Sequence, residues 1–325
     1  MKTGFMKISA RRAGLYSWNK FLPASLIAVA ALTRLPAAEA GNREAEFTKV
    51  VAPGAKLEKL AGGMKFTEGP VWLAQQGGFL VFSDIPANEL KRWSASDGLT
   101  TFRQPSQHAN GNSVDRTGRL VTCEHSGRRV SVQEKDGTVR TLVDRFDGRR
   151  FNSPNDPVVK SDGTVWFTDP TYGLPKGESK EQDGNYVFRF DPQTKTTTVV
   201  AREFDMPNGL CFSPDEKKLY VADSGKPRHL RVFDVQPDGT LRGGAVFGQI
   251  DTGVPDGIRC DAEGRIYSSA GDGIHIFTPD GKLIGKILVP ETPANLCFGG
   301  ADGQTLFITA RTSLYSIPLL ARGAP

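Results

Sequence analysis

The sequence predicts an all-β fold, a six-bladed β-propeller of four-stranded antiparallel blades. Two observations carry that expectation. A short theme recurs six times along the 325 residues: an acidic or amide residue beside a small or kinking partner, an apolar run, a polar turn and a second apolar run. Its anchors are Glu68, Asn110, Asn155, Asn208, Asp256 and the Ala294-Asn295 pair, at intervals of 42, 45, 53, 48 and 38 residues. Strand-built repeats of roughly 40–50 residues mark propeller blades. Between the anchors strand follows strand, with few stretches of helical period.

Residues 1–40 read as an export leader. Lys2, Lys7, Arg11, Arg12 and Lys20 form a basic start, 22–33 is a short apolar core, and Ala38-Glu39-Ala40 is a small-residue cleavage site. The apolar run is too short to span a bilayer comfortably, so no stable membrane anchor is expected. The chain would then be periplasmic or secreted after cleavage near Ala40. Residues 41–55 read as a loose linker, and 56–325 as a single propeller domain.

Each anchor opens a first strand. Turns follow at Gln76-Gly77-Gly78, Arg116-Thr117-Gly118, Ser161-Asp162-Gly163, Pro214-Asp215-Glu216, Ala262-Glu263-Gly264 and Ala301-Asp302-Gly303, where Gly and Asx supply the conformations that tight hairpins need. Second strands are expected at 79–83, 120–123, 164–168, 218–222, 265–269 and 305–309. The first four end on a carboxylate: Asp84, Glu124, Asp169 and Asp223. Third strands follow, and fourth strands precede the next anchor. The sixth blade lacks a fourth strand of its own, and the strand expected at 57–61 completes it. Such closure removes free sheet edges.

Six of the 41 basic and one of the 36 acidic side chains lie in the leader, leaving 35 of each and a formal charge of zero. No basic face is implied, which argues against nucleic acid as a partner. Cys123, Cys211, Cys260 and Cys297 fall in strands without any C-x-x-C spacing. They read as buried thiols rather than a zinc or redox motif.

In a propeller the first strand of each blade lines the central channel. Glu68, Asn155, Asn208 and Asp256 therefore converge at one end of it. Two carboxylates and two amides, with no imidazole or thiolate, form a hard-oxygen set suited to a divalent cation, Ca²⁺ best. The plain alternative is turn chemistry at each Asn-Gly or Asp-Gly pair. Glu68 is no turn former, and four equivalent positions favour a shared site.

Glu68-Gly-Pro-Val-Trp72, Asn152-Ser-Pro-Asn-Asp156, Trp166-Phe-Thr-Asp-Pro170, Pro207-Asn-Gly209 and Pro255-Asp-Gly257 resemble the gluconolactonase/regucalcin family. His108-Ala-Asn-Gly-Asn112 with Cys123-Glu-His125 resembles its bacterial gluconolactonase branch. The resemblance implies a six-bladed propeller, a divalent cation held by Glu68, Asn155, Asn208 and Asp256, and hydrolysis of sugar lactones. Ser153 stands where the family's animal members carry an arginine that helps hold substrate, so their sugar preference does not transfer.

A lactone is an activated cyclic ester, and a channel cation can polarise its carbonyl while a carboxylate takes the proton from attacking water. Asp256 is the candidate base, because Glu68 reads as a fixed ligand. No G-x-S-x-G serine elbow occurs. His108, Asn110, Glu124 and His125 either bind sugar hydroxyls, relay protons or serve structure. Tyr172 either stacks on a ring or lies on the surface, and Asp169 and Asp223 read as turn caps. Residues 170–184 and 224–228 read for the most part as ordinary surface loops, or else as a rim or lid over a binding site. The rival readings are a hydrolase of phosphotriesters or other esters on the same scaffold, and a non-catalytic calcium- or sugar-binding propeller.

Overall fold

The structure, a computed structural model, describes residues 37–324. The leader expected at 1–40 lies almost wholly outside the described residues. Six four-stranded antiparallel sheets follow one another around a central channel, five of them with their strands in chain order from the axis outward. The innermost strands are Thr67–Leu73, Ala109–Val114, Pro157–Val159, Pro207–Phe212, Ile258–Cys260 and Pro293–Gly299, which define blades 1 to 6. Blade 6 closes as expected: Glu58–Gly62 pairs antiparallel with Ser313–Pro318.

The core lies between blades. The second strand of blade 1, Phe79–Asp84, is buried at every position, and so is Val165–Asp169 in blade 3. A strand with sheets on both sides has no solvent face, so its sequence reads as an apolar run rather than an alternation. Val121, Cys123 and Val130 of blade 2 pack on Phe167 and Phe188 of blade 3. Trp166 of blade 3 meets Phe212 of blade 4 edge to face, with ring centroids 5.4 Å apart. Trp72 stacks on Phe307 at 5.3 Å across the junction of blades 1 and 6. Truncating a fully buried ring such as Phe167 to alanine would cost about 3–5 kcal/mol. The four cysteines are free and buried in these seams.

Two segments differ from the sequence expectation. The stretch read as a loose linker holds most of a helix, Ala37–Thr48, whose Ala- and Glu-rich sequence has high helix propensity. Phe47 lies so close to Gly285 that any Cβ there would overlap its ring, and Val50 is fully buried in the core of blades 5 and 6. The linker reading missed these two apolar anchors because they are isolated in a polar sequence. No described helix is long and apolar enough to cross a membrane. A two-stranded ribbon, Arg145–Phe146 with Arg149–Arg150, also went unforeseen. Asp147 and Gly148 both adopt positive φ in its turn, as a two-residue hairpin loop requires.

The innermost strands are bulged where they carry their anchors. Register breaks between Glu68 and Val71, Ala109 and Asn112, Pro207 and Leu210, and Pro293 and Asn295. A bulge bends the strand and re-aims a side chain, here towards the channel axis.

Candidate active site at one mouth of the channel

Each anchor is held by its own blade and by the blade before it. Asp84, Asp169 and Asp223, which end second strands, accept main-chain N–H groups from the segment leading into the anchor. Asp84 Oδ1 takes Phe66 N at 3.1 Å, ahead of Glu68. Asp169 takes Asn152 N and Ser153 N at 2.8 Å each, ahead of Asn155. Asp223 Oδ1 takes Met206 N at 2.9 Å, ahead of Asn208. All three are buried. The cost of burying a carboxylate is offset where N–H groups point at it. Burial still raises Asp169 from 3.8 to about 7.

The next contact runs around the ring. Ser83 Oγ donates to Asn110 O at 2.6 Å, Thr168 Oγ1 to Asn208 O at 2.7 Å, and Gly209 N to Asp256 O at 3.1 Å. The residue after the anchor is glycine in blades 1, 2, 4 and 5. A Cβ on Gly69, Gly111, Gly209 or Gly257 would overlap the neighbouring blade's backbone. Blades 3 and 6 place Asp156 and Asn295 at this position instead, and both are buried.

The result is a cavity of about 640 Å³ whose wall includes Glu68, Asn155, Asn208 and Asp256 together. Four blades thus deliver the four residues expected as cation ligands to one place. His108, Asn110, His125 and Tyr172 share the same wall. Glu124 does not, and its contacts fit the structural alternative among the roles considered for it. Its carboxylate is tied to Arg129 Nε and Ser131 Oγ at 2.6 Å each, and to Arg103 at 3.4 Å. One methylene longer than the aspartates of the other blades, it turns to its own blade's outer strands. Tyr172 is 46% exposed, yet its phenol reaches Ser224 and Asn208, and desolvation raises it to about 12. The loop expected as a rim supplies Tyr172 to Lys176, and the second loop supplies Ser224.

The electrostatics are those of crowded acids. Glu68 is raised from 4.5 to about 7, first by burial and then by Asp156. Asp256 is pushed well above 3.8 by burial, then by Glu68 and Asp156. Asp256 shares a hydrogen bond with Glu68 and receives one from the Asn208 amide. Glu68 Oε2 accepts from Gly69 N and from Asn295 Nδ2, the latter at 2.9 Å. Asn208 Oδ1 and Asp156 Oδ1 are buried with no hydrogen-bond partner among the described residues. Unbalanced carboxylates beside an unpartnered amide oxygen are a donor set that a hard divalent cation would satisfy.

Sequence reasoning missed the support beneath this set. Asp156 Oδ2 lies 3.3 Å from Arg259 Nη1 and 3.4 Å from Asn295 Nδ2. Arg259 lines a second cavity of about 830 Å³ with Cys211, Cys260 and Cys297, towards the other end of the channel. It is the only cation bonded to a carboxylate of the site among the described residues. Its signal was the one charged side chain in an innermost strand otherwise apolar, three residues after an anchor. Asp251, Asp272 and His275 form a separate group away from the cavity, and Lys286 Nζ already occupies it at 2.7 Å and 3.0 Å from the two aspartates. His125 is a buried neutral imidazole: burial, then His108, lowers it from 6.5 to about 4, and its Nε2 lies 3.1 Å from Asn110 Nδ2.

Comparison with known proteins gives the same frame. The chain is 37% identical over 283 residues to a gluconolactonase from Zymomonas mobilis, 78% of each chain being covered. A solved gluconolactonase structure from Xanthomonas campestris superposes with a TM-score of 0.80 at 36% identity, covering 85% of this chain and 93% of that one. A calcium-binding regucalcin from Agrobacterium tumefaciens shares the fold at a TM-score of 0.67 and 22% identity, over 82% of this chain and 97% of that one. The sequence pattern of the SMP-30/Gluconolactonase/LRE-like region matches residues 66–312, so the chain belongs to that family.

Proposed function

We propose that this chain is a lactonase that opens a sugar lactone of the gluconolactone type to its aldonic acid, with a divalent cation, calcium by preference, held at the channel mouth. The observation that carries this reading is the meeting of Glu68, Asn155, Asn208 and Asp256 in one cavity. The names of the gluconolactonase relatives support the substrate class.

Glu68, Asn155, Asn208 and Asp256 would hold the cation. When bound, it would supply Lewis acidity towards the lactone carbonyl and offset the carboxylates. Glu68 is fixed on one side by Asn295 and by its own following N–H, so it orients rather than reacts. Asp256 has only the Asn208 amide and the Glu68 carboxyl as hydrogen-bond partners among the described residues; with both acids ionised around the cation, it would offer a carboxylate oxygen to the proton of an attacking water. Phe66, Ile85, Pro86, Leu174, Pro175 and Val254 surround these polar groups with apolar surface, which strengthens electrostatic contacts by excluding water. Tyr172 and Asn110 offer hydrogen bonds to sugar hydroxyls. The basic start, short apolar core and small-residue cleavage site of residues 1–40 support export of the enzyme.

The experiment is a panel of aldonolactones and a phosphotriester run on calcium-reconstituted protein, followed by acid release. Lactone opening well above buffer, with little phosphotriester turnover, is expected. Preference for the phosphotriester would move the reading to the rival hydrolase, and cation binding without turnover to the non-catalytic propeller.

A further inference from the structure

Blade 2 faces blade 5 across a six-bladed ring. Blade 5 carries Asp256, and blade 2 brings two imidazoles and a hydroxyl to the same cavity: His108, His125 and Ser126. His125 has its Nε2 engaged by Asn110 and is held neutral by burial. His108 is arranged differently. Its Nδ1 lies 2.6 Å from Ser126 Oγ. Its main-chain N donates to Asn88 Oδ1 at 2.8 Å, and its carbonyl accepts His125 N at 3.2 Å. Ser126 N donates in turn to Gln107 O at 3.1 Å.

These bonds hold His108 at φ +50 and Gln107 at φ +61. Two consecutive non-glycine residues in the left-handed region are costly, and such strain concentrates where a side chain must be aimed. With Nδ1 occupied by Ser126, the nitrogen left is Nε2. It has no protein partner among the described residues, and it is not among the buried polar atoms that lack one. It therefore opens on the cavity, opposite Asp256.

We propose that His108 is the catalytic acid for the departing ring oxygen, and that Ser126 is the residue that positions it. The inference rests on the lactonase reading above. Water adds to the lactone carbonyl carbon as Asp256 takes its proton. The bond from that carbon to the ring oxygen then breaks, and the electron pair stays on oxygen. The protonated His108 ring gives its Nε2 proton to that oxygen, which leaves as the alcohol of the open chain. His108 ends neutral and Asp256 ends protonated, and exchange with solvent at the open mouth resets both. Placing acid and base on opposite walls lets water enter from one side while the alcohol departs towards the other. The other titratable groups lining the cavity are Glu68, Asp256, His125, Tyr172 and Lys176.

The test separates the acid's role from a structural one by the leaving group. An aldonolactone must expel an alkoxide and needs the proton; an aryl lactone such as dihydrocoumarin expels a stable phenoxide and needs it little. On calcium-reconstituted protein, His108→Gln is expected to lower kcat on the aldonolactone by about 10²–10³-fold, and on the aryl lactone by less than a tenth of that factor. Ser126→Ala is expected to show the same selectivity with a smaller loss, near tenfold. His108→Ala should regain aldonolactone turnover on adding free imidazole. Equal losses on both lactones with no imidazole rescue, or no loss at all, would overturn the assignment. Wild-type protein that opens neither lactone would instead overturn the lactonase reading on which it rests. Thermal unfolding of each variant confirms that the fold is kept.

Discussion

Asn295 donates its amide to Glu68 across the seam between blade 6 and blade 1, Nδ2 to Oε2 at 2.9 Å. The same nitrogen lies 3.4 Å from Asp156 Oδ2. One amide from blade 6 thus touches an expected ligand from blade 1 and the supporting carboxylate from blade 3. Such outer partners set a ligand's orientation, and their loss weakens metal binding by about 10–100-fold. Asn295→Leu is expected to lower calcium affinity by that order while leaving the six sheets intact. Calorimetric calcium titration of the variant checks it; an unchanged affinity would make Asn295 only a spacer.

The acids of the site would link binding of the proposed cation to pH. In the cation-free protein, burial and Asp156 raise Glu68 from 4.5 to about 7, so the folded state binds this proton more tightly than the unfolded state. The stability it lends is complete below about 4.5 and is lost as pH rises to about 7, a swing on the order of 3 kcal/mol for Glu68 alone. Asp256 and Asp156 are raised too, and act in the same direction. A cation favours their ionised forms and removes this penalty. The rise in Tm on adding calcium should therefore be larger at about pH 8 than at about pH 5. Equal rises at both would contradict the coupling.

Asp256→Asn removes one negative charge and the proton acceptor without changing side-chain shape. A loss of about 10²–10⁴-fold in kcat is expected, with a Tm equal to or above that of the parent, because a buried carboxylate pair is relieved. Initial rates of lactone opening beside a melting curve decide it. A near-parental rate would transfer the base role elsewhere.

Ser153 holds the start of the rim loop. Its Oγ donates to Pro170 O at 2.6 Å and accepts Gly173 N at 3.0 Å, while Arg128 holds the loop's far part through Glu178 at 2.8 Å. Ser153→Ala leaves a buried N–H and C=O unpaired, a cost of about 1–3 kcal/mol, and frees Tyr172 and Gly173 to move. KM for the lactone is expected to rise several-fold, with a smaller change in kcat. A kcat effect that dominates would mean that the loop acts on the chemistry rather than on binding.

Much of this was legible along the chain. Blade count, the closing strand and the four converging anchors follow from one recurring theme, because each blade repeats the same local demands. Asp169 and Asp223 were also readable, as turn caps at the ends of second strands. The missed features are those whose meaning lies across the channel. Asp156 sits in an Asn-Asp-Pro run that reads locally as a turn, and only its neighbours in blades 5 and 6 make it the support for Glu68. Arg259 gives no local sign that its partner lies 103 residues away. Glu124 looked equivalent to the aspartates of the other blades, and its extra methylene sends it to Arg129 and Ser131. Phe47 and Val50 carried too little periodicity to announce the helix and the contact they make.

Oxygen ligands from four blades would gather one cation that the chemistry needs. The most direct measurement is calcium titration of chelator-stripped protein, reading bound ion and lactone opening in the same samples. Negligible turnover without the ion is expected, with activity rising in step with a single calcium per chain. Full turnover in stripped protein with no ion bound would contradict it.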